Sequence, residues 1–310
     1  MKIKSLPIGK LQVSSNVFLA PMAGFTDYAM RKSADDSGYG LMFTELFSAK
    51  GLFFGGEKTK ELLKTGGKTP TAAQIFGADP FYMRSACESE DLRVFSVIDL
   101  NMGCPVPKVY KNGEGSALLN DISLAEKIVK ECVKSGKIIT VKIRTGIHDG
   151  DDIAAEFCKM AEDSGAKAVT VHGRVRDAYY SGEPDFRAIE RAKRAVNIPV
   201  IANGGIFTVK DADEMIERTG ADGVMLARGA IKDPFLIKRL LGVPVDSSVK
   251  DFALLHIENL RKEKGSDRCA VEFRKFVNYY FGDFAGAKEF RKRLTECKTA
   301  EELIDIIRGV

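Results

Sequence analysis

At 310 residues, with 45% apolar and 29% charged positions, the chain is too long for one small domain and too apolar to be disordered. No run of 18 apolar residues is present to form a membrane span, and Met1–Lys10 lacks the apolar core and cleavage site of a secretion signal. The net charge of +4 is modest, and six scattered cysteines with no C-x-x-C pair argue against a zinc site or a disulfide framework, so a cytoplasmic protein is expected.

Eight short, β-branched, apolar runs follow one another through the first 230 residues. They are Val17–Ala20, Leu41–Thr44, Thr71–Phe76, Val97–Leu100, Ile138–Ile143, Ala168–Val171, Pro199–Ala202 and Gly223–Ala227. Helical periodicity separates them, as in Leu124–Val133, Ile153–Asp163, Phe186–Val196 and Val209–Thr219. Regular alternation of this kind predicts a parallel sheet buried on both faces, and eight units match the length of a closed (β/α)8, or TIM, barrel. A doubly wound open sheet is the rival, but its glycine fingerprint is missing after the first strand, where Pro21-Met22-Ala23-Gly24 stands.

Polar residues gather where these strands end, the end at which barrel enzymes build their active sites. Asn203-Gly204-Gly205 and Ala227-Arg228-Gly229 close the seventh and eighth strands, where barrels often bind phosphate with backbone N–H groups. Lys142 interrupts Ile138–Arg144, where burial is costly without a partner; it suits a negative cofactor locus or a Schiff base. His172 follows Val169-Thr170-Val171 directly, whereas His148 and His256 read as surface or packing residues. Gln74 is an amide inside an apolar strand, able to pair with a planar ring or with core neighbours. Cys104 lies in a Gly-Cys-Pro turn before a glycine-rich loop, Lys111–Ser116, and is a candidate proton donor or nucleophile. Cys87, Cys132 and Cys158 fall on helix-like stretches as inert core residues.

From Gly242 onward strands give way to helices over Phe252–Lys262, Ala270–Tyr280, Gly286–Thr295 and Ala300–Ile307, the last capped by Thr299 with Glu302 at capping-box spacing. A barrel domain over 1–242 and a helical domain over 243–310 are expected. Arg261–Arg293 holds ten Lys or Arg against five Asp or Glu, a local excess of the kind that tracks phosphates. Phe273, Phe276, Tyr279 and Tyr280 are interleaved with it, most of them as helical core.

The ordered motifs resemble the tRNA-dihydrouridine synthase family. The matching residues are Ala20–Gly24, Thr44-Glu45, Gln74–Gly77, Asp99–Pro105, Gly113–Leu119, Val141–Arg144, Val171–Arg174, Tyr180–Gly182, Ile201–Gly204 and Ala227–Gly229. The resemblance implies FMN on the barrel rim. Pro21, Met22 and Ala23 would flank the ring, Gln74, Lys142 and His172 would contact it, and Asn203, Gly204, Gly205, Ala227 and Arg228 would hold the phosphate. NADPH or NADH would reduce the flavin. A hydride would pass to C6 of a tRNA uridine while Cys104 protonates C5, with Asn101, Arg144 and Arg174 at the substrate. No membrane and no obligate protein partner is implied. Gly205, Ala178 and Phe276 depart from the family's usual aspartate, glutamine and histidine. Three rivals remain: a small-molecule FMN reductase, a Schiff-base aldolase using Lys142, and a non-catalytic RNA-binding barrel.

Overall fold

The computed structural model describes residues 1–282, 284 and 286–309, with only the backbone of Lys58. Eight parallel strands close on themselves: β1 Val17–Leu19, β2 Leu41–Phe43, β3 Thr71–Phe76, β4 Val97–Met102, β5 Ile138–Arg144, β6 Val169–His172, β7 Val200–Asn203 and β8 Gly223–Leu226. Each pairs with its chain neighbours, and β8 pairs with β1 through Val224↔Val17 to Leu226↔Leu19. The expected barrel is therefore observed, with every expected strand in place. An antiparallel hairpin, Leu6–Ile8 with Leu11–Val13, and a two-residue strand at Phe47–Ser48 are additions too short to show a period.

Period-two alternation sorts the strands' side chains into two cores. Outward residues such as Val17, Ile98, Val141, Val171 and Val224 pack beneath the surrounding helices. Inward residues Phe18, Leu41, Phe43, Ala72, Val97, Ile138, Ala168 and Ile201 fill the barrel, plugged from below by Leu6, Ile8 and Val13 of the hairpin. Climbing the same inward faces, the chemistry turns polar: first Gln74, Asp99, Thr140 and Thr170, then Asn101, Lys142, His172 and Asn203. The register aligns these residues, pairing Gln74 with Asp99, Asp99 with Thr140, Asn101 with Lys142, and His172 with Asn203. An apolar floor thus carries a polar upper layer that opens at the strands' C-terminal ends.

Beyond Gly242 four helices, Val249–Lys264, Ser266–Tyr280, Ala287–Glu296 and Ala300–Arg308, build a separate core around Phe273, Phe276, Leu260 and Leu303. Ala29, Met30, Ile231 and Phe235 join that core from the barrel side. The Val249–Lys264 helix starts earlier than its apolar pattern indicates, because Ser248 and Asp251 cap it reciprocally. Thr299 caps the last helix as expected, but the Glu302 carboxylate accepts the Lys298 N–H, so no reciprocal box forms. His256 is a packing residue: it is fully buried, edge-on to Phe276 at 4.5 Å, with Nδ1 3.0 Å from the Tyr280 hydroxyl. Burial holds its pKa down to about 4. Among the described residues no helix is long and apolar enough to cross a membrane, and no cluster of His, Cys, Asp or Glu is arranged to bind a metal ion.

Candidate active site

A cavity of about 370 Å³ opens at the C-terminal end of the barrel. Pro21, Met22 and Ala23 form one wall, followed by Asn101, Cys104, Lys142, Arg144, His172, Arg174, Asn203, Gly204, Gly205, Ala227 and Arg228. Every residue given a place at the cofactor, the substrate or the acid therefore converges on one space, except Gln74. That amide is fully buried and lines no part of the cavity; its Nε2 donates to Asp99 Oδ2 at 2.7 Å, and its Oε1 accepts from Asn101 Nδ2 at 2.9 Å. Both ends of the amide are engaged within the wall.

Among the described residues, four cationic side chains, Lys142, Arg144, Arg174 and Arg228, line the cavity, and no carboxylate does. Lys142 Nζ donates to Asn203 Oδ1 at 3.2 Å, and Asn203 is itself fixed by donating to the Met225 carbonyl at 2.8 Å. Burial, with Arg144 close by, lowers Lys142 to about 8. Burial lowers Arg144 to about 10, and burial with Lys142, Arg144, Arg174 and Arg228 around it holds His172 well below its ordinary value, as a neutral imidazole. Charges that repel one another in this way favour an anionic occupant. The backbone leaves room for one: Gly204 sits at φ +119°, and a Cβ there would meet His172 at 2.9 Å.

The two arginines are less free than their sequence context implies. Arg144 Nε donates to the Gly103 carbonyl, and its Nη1 donates to the carbonyls of Val175 and Tyr179, each at 2.9 Å. Arg174 donates to the carbonyls of Ser181 and Gly182. Together they fasten the 175–182 loop beside the Cys104 turn, with Tyr179 at φ +47°. The loop presents Tyr180 to the cavity, its ring 4.6 Å from the Arg228 guanidinium and 6.5 Å from the His172 ring.

Cys104 is only partly buried, and its pKa is raised, chiefly by desolvation, with the Val106 N–H, Arg144 and Lys142 pulling it the other way. The thiol is thus held in its protonated form at neutral pH, which suits an acid better than a nucleophile.

A protein-family model, dihydrouridine synthase, matches residues 18–308. The chain belongs to the dihydrouridine synthase family. Among similar curated proteins, a probable tRNA-dihydrouridine synthase of Rickettsia bellii is 36% identical, covering 92% of this chain and 91% of that one. A tRNA-dihydrouridine synthase B of Vibrio cholerae is 33% identical, covering 98% of each chain. Solved structures share the barrel at low identity. A variant of NCR from Zymomonas mobilis superposes with a TM-score of 0.56 at 15% identity, covering 80% of this chain and 93% of that one. A morphinone reductase mutant in complex with tetrahydroNAD gives 0.57 at 13%, covering 77% and 90%.

The cavity also has lining residues that carry no sequence signal. Phe25, Leu46, Ile206, Phe207 and Ile231 are apolar lining without a motif of their own. Tyr279 departs from the aromatic set it belongs to in sequence. Phe273, Phe276 and Tyr280 are buried as helical core, but Tyr279 reaches the cavity from the helical part, its ring 5.5 Å from Phe25. A tyrosine one turn after Lys275 on a basic helix is the signal that could have separated it from its neighbours.

Proposed function

We propose that the cavity holds FMN and that the chain uses it to reduce uridines of tRNA to 5,6-dihydrouridine, in the cytosol, with NADPH or NADH as reductant. The observation that carries this reading is the Cys104 thiol, kept protonated at the mouth of a cavity lined by four cations and no carboxylate among the described residues, in a chain of this family. The lining fits the cofactor: glycine backbone at Gly204 and Gly205 with Arg228 suits a phosphate, and neutral His172 with Lys142 suits a ring that gains negative charge.

FMN, when bound and reduced by the nicotinamide, would supply the hydride for C6 of the uracil. The protein's own residues do the rest. Cys104 delivers a proton to C5, and the thiolate left behind is stabilised by Arg144, Lys142 and the Val106 N–H. Arg144 ties the carbonyl of Gly103 to those of Val175 and Tyr179, so the acid and the loop carrying Tyr180 keep one spacing. Tyr180 and Tyr279 add aromatic lining to the cavity. A uridine must leave its stack to enter, which calls for contacts to the rest of the tRNA. The helical domain, residues 243–310, is the proposed contact surface, through exposed Lys288, Lys292 and Arg293.

An anaerobic absorbance titration tests the whole. A flavin spectrum bleached by NADPH and restored by an unmodified tRNA transcript, with dihydrouridine in the product, is expected. A reduced flavin that tRNA leaves bleached would favour a small-molecule reductase.

A further inference from the structure

Thr140, Asp99 and Gln74 lie behind the cavity wall, and none reaches the reacting atoms. All are buried, Asp99 and Gln74 at 0% exposure. They form one line of hydrogen bonds across three adjacent strands. Thr140 Oγ1 donates to Asp99 Oδ1 at 2.6 Å, and Gln74 Nε2 donates to Asp99 Oδ2 at 2.7 Å. Asn101 Nδ2 donates to Gln74 Oε1 at 2.9 Å. Asn101 Oδ1 then accepts the N–H groups of Gly103 at 3.2 Å and Cys104 at 2.9 Å.

The line has a direction, set at one end. An amide can face either way round, but an ionised carboxylate only accepts. Asp99 therefore turns the NH2 of Gln74 toward itself, which points the Gln74 oxygen at Asn101. Asn101 must answer with its NH2, so its own oxygen faces the turn that carries the thiol. Reversing any member would set donor against donor in a dry interior.

We propose that Asp99, acting through Gln74 and Asn101, is a positioning residue that holds the Gly103–Cys104 turn, and with it the proton-donating thiol, in place against the substrate ring. The proposal rests on the reading of Cys104 as the acid. It gives Gln74 a part in holding the acid, beside the ring contact that the family resemblance implies.

The test is a double-mutant cycle on the FMN-loaded enzyme with an unmodified tRNA transcript. Asp99→Ala and Gln74→Leu are each made with Cys104 intact and with Cys104→Ala. With Cys104 intact, both lower kcat about ten- to a hundredfold, as displacement of a reacting group does, while KM for tRNA holds and Asp99→Ala keeps its flavin. In the Cys104→Ala background neither lowers the residual rate further. Asp99→Asn restores most of kcat, because its oxygen still accepts from Gln74 and its NH2 donates to Thr140. Equal proportional losses in both backgrounds, or loss of flavin with Asp99→Ala, overturn the proposal. Should Asp99→Ala fail to fold, Gln74→Leu and Thr140→Val complete the same cycle. Cys104→Ala with undiminished activity is a different result, and it removes the functional reading itself.

Discussion

Two sets of basic side chains in this molecule meet opposite fates. In the cavity, Lys142, Arg144, Arg174 and Arg228 converge without a carboxylate among the described lining residues, so their field is directed into the space they surround. In the helical part, the ten cations between Arg261 and Arg293 are mostly engaged. Arg261 and Lys262 pair with Glu258, Lys264 and Arg268 with Glu272, and Lys275 with Asp27. Arg274 donates to the Cys297 carbonyl, and Arg291 donates to those of Phe281 and Gly282. The sequence excess of five is therefore not five available charges. Charge counted along a chain overstates a surface where helices bring partners together, and understates a cavity that several loops assemble.

Removing the acid that the cavity surrounds puts the most weight on this contrast. Cys104→Ala is expected to leave flavin binding and its reduction by NADPH intact while lowering dihydrouridine formation about 10²–10⁴-fold, the usual contribution of a positioned acid. Mass spectrometry of digested tRNA reads the product, and undiminished formation would remove Cys104 from the mechanism. Next in size is Arg228→Ala. A charge-assisted bond contributes about 1.5–3 kcal/mol, so FMN affinity should fall about ten- to a hundredfold. Riboflavin, which lacks the phosphate, should bind the parent and the variant alike; a matching loss for riboflavin would place Arg228 at the ring.

The helical surface is expected to respond less. Lys288, Lys292 and Arg293 changed together to alanine should weaken tRNA binding by up to about tenfold. The slope of log affinity against log salt should flatten by about 0.9 for each phosphate that is no longer neutralised. Changing the ion-paired Arg261, Lys262 and Arg268 instead should leave that slope unchanged. If the paired set moves the slope and the exposed set does not, the assignment of available charge is reversed.

How far the sequence could be read follows from the same physics. Strand alternation is local, so all eight barrel strands and the polar strand ends were legible, and with them the polar part of the cavity lining. Legibility failed where the decisive partner is distant in sequence. At Gln74, nothing nearby in sequence reveals that Asp99 and Asn101 engage both ends of its amide. Nor does anything near Arg144 and Arg174 in sequence reveal that several of their donors hold loop carbonyls. Tyr279 looked like its buried neighbours, since only the docking of its helix decides which ring faces the cavity. Thr299 and Glu302 had the right spacing for a reciprocal cap, but the competing Lys298 N–H won the carboxylate.

The proton on Lys142 should matter least. Its pKa in the folded cavity is about 8, against an ordinary value of about 10.4 for an exposed lysine. The unfolded chain therefore keeps a proton between those values that the folded chain has lost, and stability contributed by this site rises with pH across that window. Below about 8 the folded state carries the charge in a cavity crowded with like charges, and the penalty is present in full. Melting temperatures of the flavin-free parent and of Lys142→Met should accordingly converge or cross in the parent's favour from about pH 8 to 10, by roughly 2–4 °C for each kcal/mol gained. Adding FMN should flatten the trend, because an anionic neighbour restores the lysine's affinity for its proton. A difference between parent and variant that stays constant with pH would mean that Lys142 is already neutralised or hydrated in the free cavity, and the contrast with the paired cations of the helical domain would narrow to the three arginines.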